Sequence, residues 1–438
     1  MIKLLLFTII LGAGIVALVR PWVGIISYYL LAILGPQYIW WWNFEGLRAS
    51  LIVALCTLSG LGLSILKQNY DFSFLLTKHN LCLGFLWLCI TCSYFFGPYV
   101  PLFVSSGPSP DQLFYITNTI FLFYFCAVLE MNETRKLHYL VIIFVVSTVY
   151  LTCWANYQYF SQNWAQFNYG RLMGPLDISG GSIYADENVF AMLFVTGSPF
   201  IYYLGLEIKK KWLRWGLWAI IPLSWHAIFL TGSRGGLVGL VVVVVGVLLL
   251  TNRKLFALVM ILFFLGFYQW QSGDVMSERS QSIVGYEGDS SAEARIVSWS
   301  GGFRMMAKHP LMGVGLGSYI TALPDYIESK PRVAHNTFIQ FAAESGLGAG
   351  LAYIMIVGIF FTHSKKIRHW CHHSPEEEFQ KIDLYNKAST VSFAGLIACS
   401  LFLSLNNYEV FFVLLLFNNA LYQICLKKII NEKAFETS

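Results

Sequence analysis

Long apolar runs alternate with short polar breaks along nearly the whole chain, for example at 48–66, 139–156 and 236–251. A helix needs about 20 residues to cross a hydrocarbon core, so each run predicts a spanning helix. The pattern divides into candidate spans at 3–19, 22–40, 48–66, 80–97, 113–130, 139–156 and 186–207. Six more follow at 215–231, 236–251, 255–270, 347–362, 388–405 and 411–426. Arg20 and Pro21 between the first two runs mark either a turn or a kink, giving about 12 or 13 spans in all. The expected fold is all-α: a polytopic integral membrane protein with about 12 transmembrane helices, forming a single membrane domain over residues 1–438.

Composition agrees: 56% of residues are hydrophobic and 12% charged, where a globular domain carries about 25% charged residues. The net charge of +5 does not point to nucleic acid, because the basic residues stand in short clusters between apolar runs. Clusters at 209–214, Arg253 with Lys254, 365–373, and Lys427 with Lys428 are read as cytoplasmic anchors under the positive-inside rule. That alternation leaves 157–185, the tight 231–236 turn and the long 271–346 loop together on the opposite, outer face. The first 18 residues carry only Lys3 as a charge and lack a small-residue cleavage site, so a retained helix is expected there. Of the nine cysteines, all but Cys371 lie in apolar runs, which implies packing and no disulfide framework; Cys89 and Cys92 read the same way. No internal repeat of the transporter kind is found.

The 271–346 loop is too long for a connector, and loops of this length in compact folds tend to be functional. Within 292–308, Ile296, Trp299, Phe303 and Met306 recur at spacings of three and four, with Arg304 and Lys308 elsewhere, predicting a helix lying on the membrane surface. Gly313, Gly315 and Gly317 interrupt it, and Pro331 precedes a new helix starting near His335. Asn336, Gln340 and Glu344 then repeat every four residues as a polar stripe before the next span.

His335 is the sharpest chemical candidate, standing on the outer face at the mouth of a span, where histidine is suited to act as a general base; an interfacial histidine that only caps a helix is the competing reading. Arg234, in Thr231-Gly232-Ser233-Arg234-Gly235-Gly236, combines a guanidinium with glycines that let a phosphate approach closely. The alternative, an arginine anchoring to lipid headgroups, fits the outer side less well. Arg171, Arg295, Arg304 and Arg332 add positive charge on the same side, although Asp274, Glu278, Glu287, Asp289 and Glu293 cluster early in the loop. The 363–373 stretch, with His369, Cys371, His372 and His373, lacks the spacing of a metal site. No Walker motif, dinucleotide fingerprint or HExxH helix is present.

Four segments resemble the O-antigen ligase and polymerase superfamily as an ordered set. They are Glu293-Ala294-Arg295 through Trp299, Lys308-His309-Pro310-Leu311-Met312-Gly313-Val314-Gly315, His335-Asn336-Thr337-Phe338 and Ala343-Glu344-Ser345-Gly346-Leu347-Gly348. Ser233-Arg234-Gly235 is similar to a motif upstream of that superfamily's large periplasmic loop. Arg171-Leu172-Met173-Gly174-Pro175 with Asp186-Glu187-Asn188 resembles an O-glycosylation ligase subgroup, from which Glu187 departs.

The resemblance implies a bacterial inner-membrane glycosyltransferase with its active site facing the periplasm. It would move a glycan from an undecaprenyl diphosphate carrier to a hydroxyl acceptor, foremost lipid A core. His335 is expected as the base, Arg234, Arg171, Arg295 and Arg304 as the diphosphate ligands, and Asn336, Glu344 and Gln340 as supporting residues, with inversion and without a metal or cofactor. An O-linked protein oligosaccharyltransferase or an O-antigen polymerase would use the same residues. A lipid or glycan transporter is more remote, because ionisable residues within the spans are scarce, His226 being one exception.

Overall fold

The computed structural model describes residues 2–45, 47–67, 70–104, 107–176, 182–251, 290–374 and 376–436, with isolated positions between 255 and 266. The span expected at 255–270 lies largely outside the described residues, as do Arg253, Lys254 and the acidic residues Asp274, Glu278, Glu287 and Asp289.

With no water to satisfy backbone groups in a bilayer, a spanning segment closes its own hydrogen bonds as a helix. The principal helices are α1 (Ile2–Val19), α2 (Pro21–Leu34), α3 (Ala49–Lys67), α4 (Lys78–Phe96), α5 (Pro110–Glu130), α6 (Thr134–Phe160) and α7 (Glu187–Glu207). They continue as α8 (Lys211–Thr231), α9 (Arg234–Leu250), α10 (Ser290–Lys308), α11 (Tyr319–Tyr326), α12 (Thr337–His373), α13 (Glu377–Ser400) and α14 (Glu409–Glu436). Eight of them, α3 to α8, α12 and α14, are long and apolar enough to cross a membrane, while α1, α2 and α9 are apolar but shorter. The protein is thus an all-α multi-pass membrane protein, interrupted among the described residues by one two-residue antiparallel hairpin, β1 (Phe167–Asn168) with β2 (Arg171–Leu172).

Helix ends depart from hydropathy where backbone chemistry decides them. The second helix stops at Leu34 instead of running to 40, because Gly35 takes a left-handed C-cap (φ 62°) and Pro36 follows. The polar stripe at Asn336, Gln340 and Glu344 is not a separate helix but the first turns of α12, whose only non-helical residue is Gly346 (φ 85°, ψ 166°).

α7 is the centre of the bundle, with 83% of its apolar window buried against 33% for α3. It packs against α8, α9 and α13. Small residues permit this: a Cβ on Gly239 of α9 would fall 2.2 Å from the Cys399 thiol of α13, and one on Gly197 of α7 would fall 2.2 Å from the Thr148 hydroxyl of α6. α10 differs from the expected surface helix. It buries Ser298, Met305 and Met306 against α11 and the start of α12, leaving Ile296 and Phe303 exposed, since those two lie on a different face of the helix.

The 21 residues of α8 span about 31 Å at roughly 1.5 Å per residue, so the basic 209–214 cluster and the 231–234 turn mark opposite ends of the bundle. The basic end is tied by ion pairs, including Lys381 with Glu207 at 2.8 Å and Lys428 with Glu378 at 2.5 Å. The other end carries the glycine-rich turns, α10 and α11.

Candidate active site

At that end, the sequence fixes His335 through its neighbours. The Ala334 carbonyl accepts from the Trp299 indole at 2.8 Å and its amide donates to Gln340 Oε1 at 3.1 Å. On the other side, Asn336 is the N-cap of α12, its Oδ1 accepting from the Ile339 amide at 3.0 Å. Held from both sides, His335 takes φ 50°, a left-handed conformation uncommon outside glycine, Asn, Asp and His. Backbone strain of this kind tends to be retained at functional sites.

The half-buried imidazole makes no hydrogen bond among the described residues; it lies in the field of Arg295, Asp186 and Arg332. Burial pushes its pKa below the ordinary 6.5, Arg295 lowers it further, Asp186 opposes them and Arg332 adds to the lowering. At neutral pH the ring is therefore uncharged and able to take a proton.

The arginines reach this site through two contacts. Arg171, on β2, pairs with Glu187 and donates its Nε hydrogen to the Thr231 carbonyl at 3.2 Å, which ties it to the turn bearing Arg234. Asn188 Oδ1 bridges them, accepting from Arg171 at 3.5 Å and from the Ser233 hydroxyl at 2.8 Å. Ser233 caps α9, accepting from the Gly236 amide at 3.1 Å, and so sets Arg234 in the first helical turn beside the left-handed Gly232.

The second contact is the 401–403 turn. The Arg295 guanidinium lies 6.0 Å over the Phe402 ring, and a Cβ on Gly235 would stand 3.8 Å from Phe402 Cβ. The Leu401 carbonyl accepts from Asn336 at 3.2 Å, and the Leu403 carbonyl accepts from Thr337 at 2.7 Å. One turn thus joins the Arg234 helix, Arg295 and the residues that follow His335.

Other expected members are placed differently. Arg304 is nine residues beyond Arg295 along α10, about 13 Å of helix axis, and donates to the Tyr326 carbonyl at 2.7 Å. Its guanidinium secures the end of α11 away from the imidazole. Neither Asn336 nor Glu344 orients the imidazole by a hydrogen bond. Asn336 is consumed by capping, and the buried Glu344 accepts from Gln340 at 2.5 Å and from the Tyr319 amide at 3.2 Å. Gln340 supports His335 through the Ala334 backbone. Asp186, Glu187 and Asn188 lie against the candidate residues though none is among the expected site residues, and Phe402 has no signal beyond its place at the end of a span. His226 is buried and hydrogen-bonded to Asn156 at 2.7 Å. Among the described residues, no three His, Cys, Asp or Glu side chains are grouped to hold a metal ion.

Residues 219–354, from within α8 to within α12, match the family model described as O-antigen ligase. This stretch of the chain is similar to the O-antigen ligase family. The matched stretch includes Arg234, Arg295, His335 and Glu344; Arg171, the 186–188 motif and Phe402 complete the site from outside it. No curated protein matches the chain at a significant level. Similarity to the O-antigen ligase family in a multi-pass helical chain makes this a membrane protein of glycan processing, of the ligase or polymerase type.

Proposed function

We propose that the protein transfers an O-antigen or related glycan from undecaprenyl diphosphate to a hydroxyl acceptor, foremost lipid A core, at the periplasmic face of the inner membrane. The observation that supports this reading is that the 401–403 turn touches the Arg234 helix, the Arg295 guanidinium and the residues that follow His335, while Arg171 is tied to the turn bearing Arg234. The acceptor oxygen attacks the anomeric carbon as its proton passes to His335. The bond from that carbon to the diphosphate oxygen breaks, and undecaprenyl diphosphate leaves. A single displacement inverts the anomeric centre. The leaving diphosphate needs cationic stabilisation more than a proton, and oriented guanidiniums supply it. Arg171, Arg234 and Arg295 fit that role; Arg304, bound to the Tyr326 carbonyl, fits bracing of the fold better.

The test is to incubate the purified protein, with chelator present, with an undecaprenyl-diphosphate-linked glycan and a lipid A core acceptor. Glycan on the acceptor supports the ligase reading. Failure with lipid A core, but transfer to a protein acceptor or to the donor glycan itself, would make the chain an oligosaccharyltransferase or a polymerase; no transfer to any acceptor would leave the transferase reading without support.

Two variants probe the arginines. Arg234→Lys keeps the charge but loses the planar fork for two phosphate oxygens, so kcat/KM for donor should fall by about tenfold or more. Unchanged activity would mark Arg234 as a lipid anchor. Arg295→Gln removes a cation that holds the His335 pKa down, so besides slowing transfer it should move the acid limb of the pH profile to higher pH. Asp186→Asn should move the same limb to lower pH, since the Asp186 carboxylate favours the imidazolium. Limbs that stay in place in both variants would detach His335 from the proton transfer.

A further inference from the structure

At the basic end of the bundle lies a cavity of about 610 Å3 that glycan transfer does not use, bounded by the α1–α2 junction, residues 70–74, the end of α5 and the start of α6. Its place at that end follows from Thr134, the first residue of α6, which donates at 2.7 Å to Glu378, the carboxylate that pairs with Lys428. The volume falls within the roughly 300–1,000 Å3 of small-molecule sites. α1 stops at Val19 and Pro21 opens α2, so the chain turns at Arg20 and leaves its side chain exposed at the cavity.

The charges around it do not cancel. The floor is satisfied internally: the Tyr70 hydroxyl donates to the buried Glu130 carboxylate at 2.5 Å, and the Lys136 ammonium donates to the Glu130 carbonyl and to Asn132 Oδ1, both at 2.9 Å, while standing 3.4 Å from Glu133. On the rim, Lys427 pairs with Asp71 at 3.0 Å and Arg135 reaches Glu133 only at 3.7 Å. The Arg20 guanidinium makes no hydrogen bond or ion pair among the described residues. Four cations, Arg20, Arg135, Lys136 and Lys427, thus face the three carboxylates of Asp71, Glu130 and Glu133, leaving one positive charge in excess. A phosphodiester carries a single negative charge and suits a guanidinium, whereas a nucleotide or diphosphate would bring more charge than the lining balances. The lining is also amphipathic. Val19 is 77% exposed although it borders the cavity, and Trp22 stacks on Tyr139 with ring centroids 5.5 Å apart, the kind of aromatic pair that sits at headgroup level. A soluble anion would leave that apolar edge bare; acyl chains would cover it.

We propose that this cavity binds the phosphodiester headgroup of an anionic membrane phospholipid, with Arg20 as the principal phosphate ligand, Arg135 and Lys427 at the rim, and the acyl chains running past Val19 and Trp22. Basic pockets between spanning helices are a general setting for such lipids. The site stands apart from glycan transfer and does not depend on it.

The test is a lipid titration of the full chain in detergent, read as bound lipid by native mass spectrometry at an ionic strength where the Debye length is about 8 Å, so that diffuse surface attraction is screened. The probes are phosphatidylglycerol and, at the same chain length, zwitterionic phosphatidylcholine. Arg20→Gln and Arg135→Gln each remove one exposed cation of the cavity, and Arg48→Gln removes an exposed one at the start of α3, the opposite end of that helix from the cavity's Ser64. Phosphatidylglycerol should bind saturably and more tightly than phosphatidylcholine. Arg20→Gln should weaken it about fivefold, the usual worth of one cation at a membrane surface, with a smaller loss in Arg135→Gln and none in Arg48→Gln. Equal binding of the two lipids, binding unchanged in Arg20→Gln, or an equal loss in Arg48→Gln would overturn the site. A competition arm with inorganic phosphate and with glycerophosphoglycerol, the same headgroup without acyl chains, separates the sources of the phosphate. Displacement of the lipid by either at a comparable concentration would overturn the lipid assignment in favour of a soluble anion; failure of both to displace it supports the lipid.

Discussion

His335→Ala should reduce glycan transfer by roughly 10²–10⁴-fold, the range by which a positioned general base contributes, with kcat falling more than KM for donor changes. The site explains why the loss would be chemical. The imidazole makes no hydrogen bond among the described residues, while the backbone around it is held by Trp299, Gln340 and the Asn336 cap. Removing the ring therefore leaves those contacts standing. The one structural cost is conformational, since φ 50° suits Ala less well than His. His335→Asn separates the two effects, because asparagine accepts the left-handed conformation yet offers no base at neutral pH. Both variants should elute as folded, monodisperse protein and both should be inactive. Near wild-type transfer by either, in the donor and acceptor assay with chelator, would remove His335 from the mechanism and leave it a strained helix-entry residue.

What could be read beforehand follows from where the information lies. Apolar runs report their own burial, so α3 to α8 fall close to their expected places, and the arginine and histidine motifs were legible because each sits in a local glycine or helix-start context. The partners that make them a site come from far along the chain. Glu187 and Asn188 meet Arg171 and Ser233 only after folding, and Phe402 meets Arg295 across more than a hundred residues. The regular spacing of Asn336, Gln340 and Glu344 correctly suggested one helix face but not its use. That face looks into packed backbone, so its amides and carboxylate hold loops rather than the imidazole. Likewise Arg304 carries the right charge at a helical spacing that turns it toward Tyr326.

The glycine motifs have a structural task of the same long-range kind, and Gly346→Ala should be among the most destabilising single changes in the chain. Gly346 breaks α12 at φ 85° and ψ 166°, a region open almost only to glycine, where another residue costs roughly 1–3 kcal/mol. The break lets the 309–315 segment thread against the helix: the Val314 and Gly315 amides donate to the Ala343 and Glu344 carbonyls at 2.9 and 3.0 Å, and the Leu347 amide donates to the Pro310 carbonyl at 2.8 Å. The end of α4 closes the crossing, with the Ser93 hydroxyl on the Glu344 carbonyl at 2.6 Å and the Tyr99 amide on the Val314 carbonyl at 3.0 Å. A Cβ at 346 would lie 2.1 Å from the Leu311 carbonyl oxygen, and one at Gly313 would lie 2.2 Å from that of Glu344. Both neighbours are backbone and cannot swing aside, so overlap adds roughly 1–3 kcal/mol more. Set against a typical folding stability of about 5–15 kcal/mol, the sum should lower the thermal midpoint by many degrees and cut the monodisperse yield in detergent. Gly358→Ala, in the same helix with nothing within 4 Å of the added carbon, should leave both unchanged. A Gly346→Ala protein that melts together with Gly358→Ala would mean that the helix break is not what holds the 309–315 segment in place.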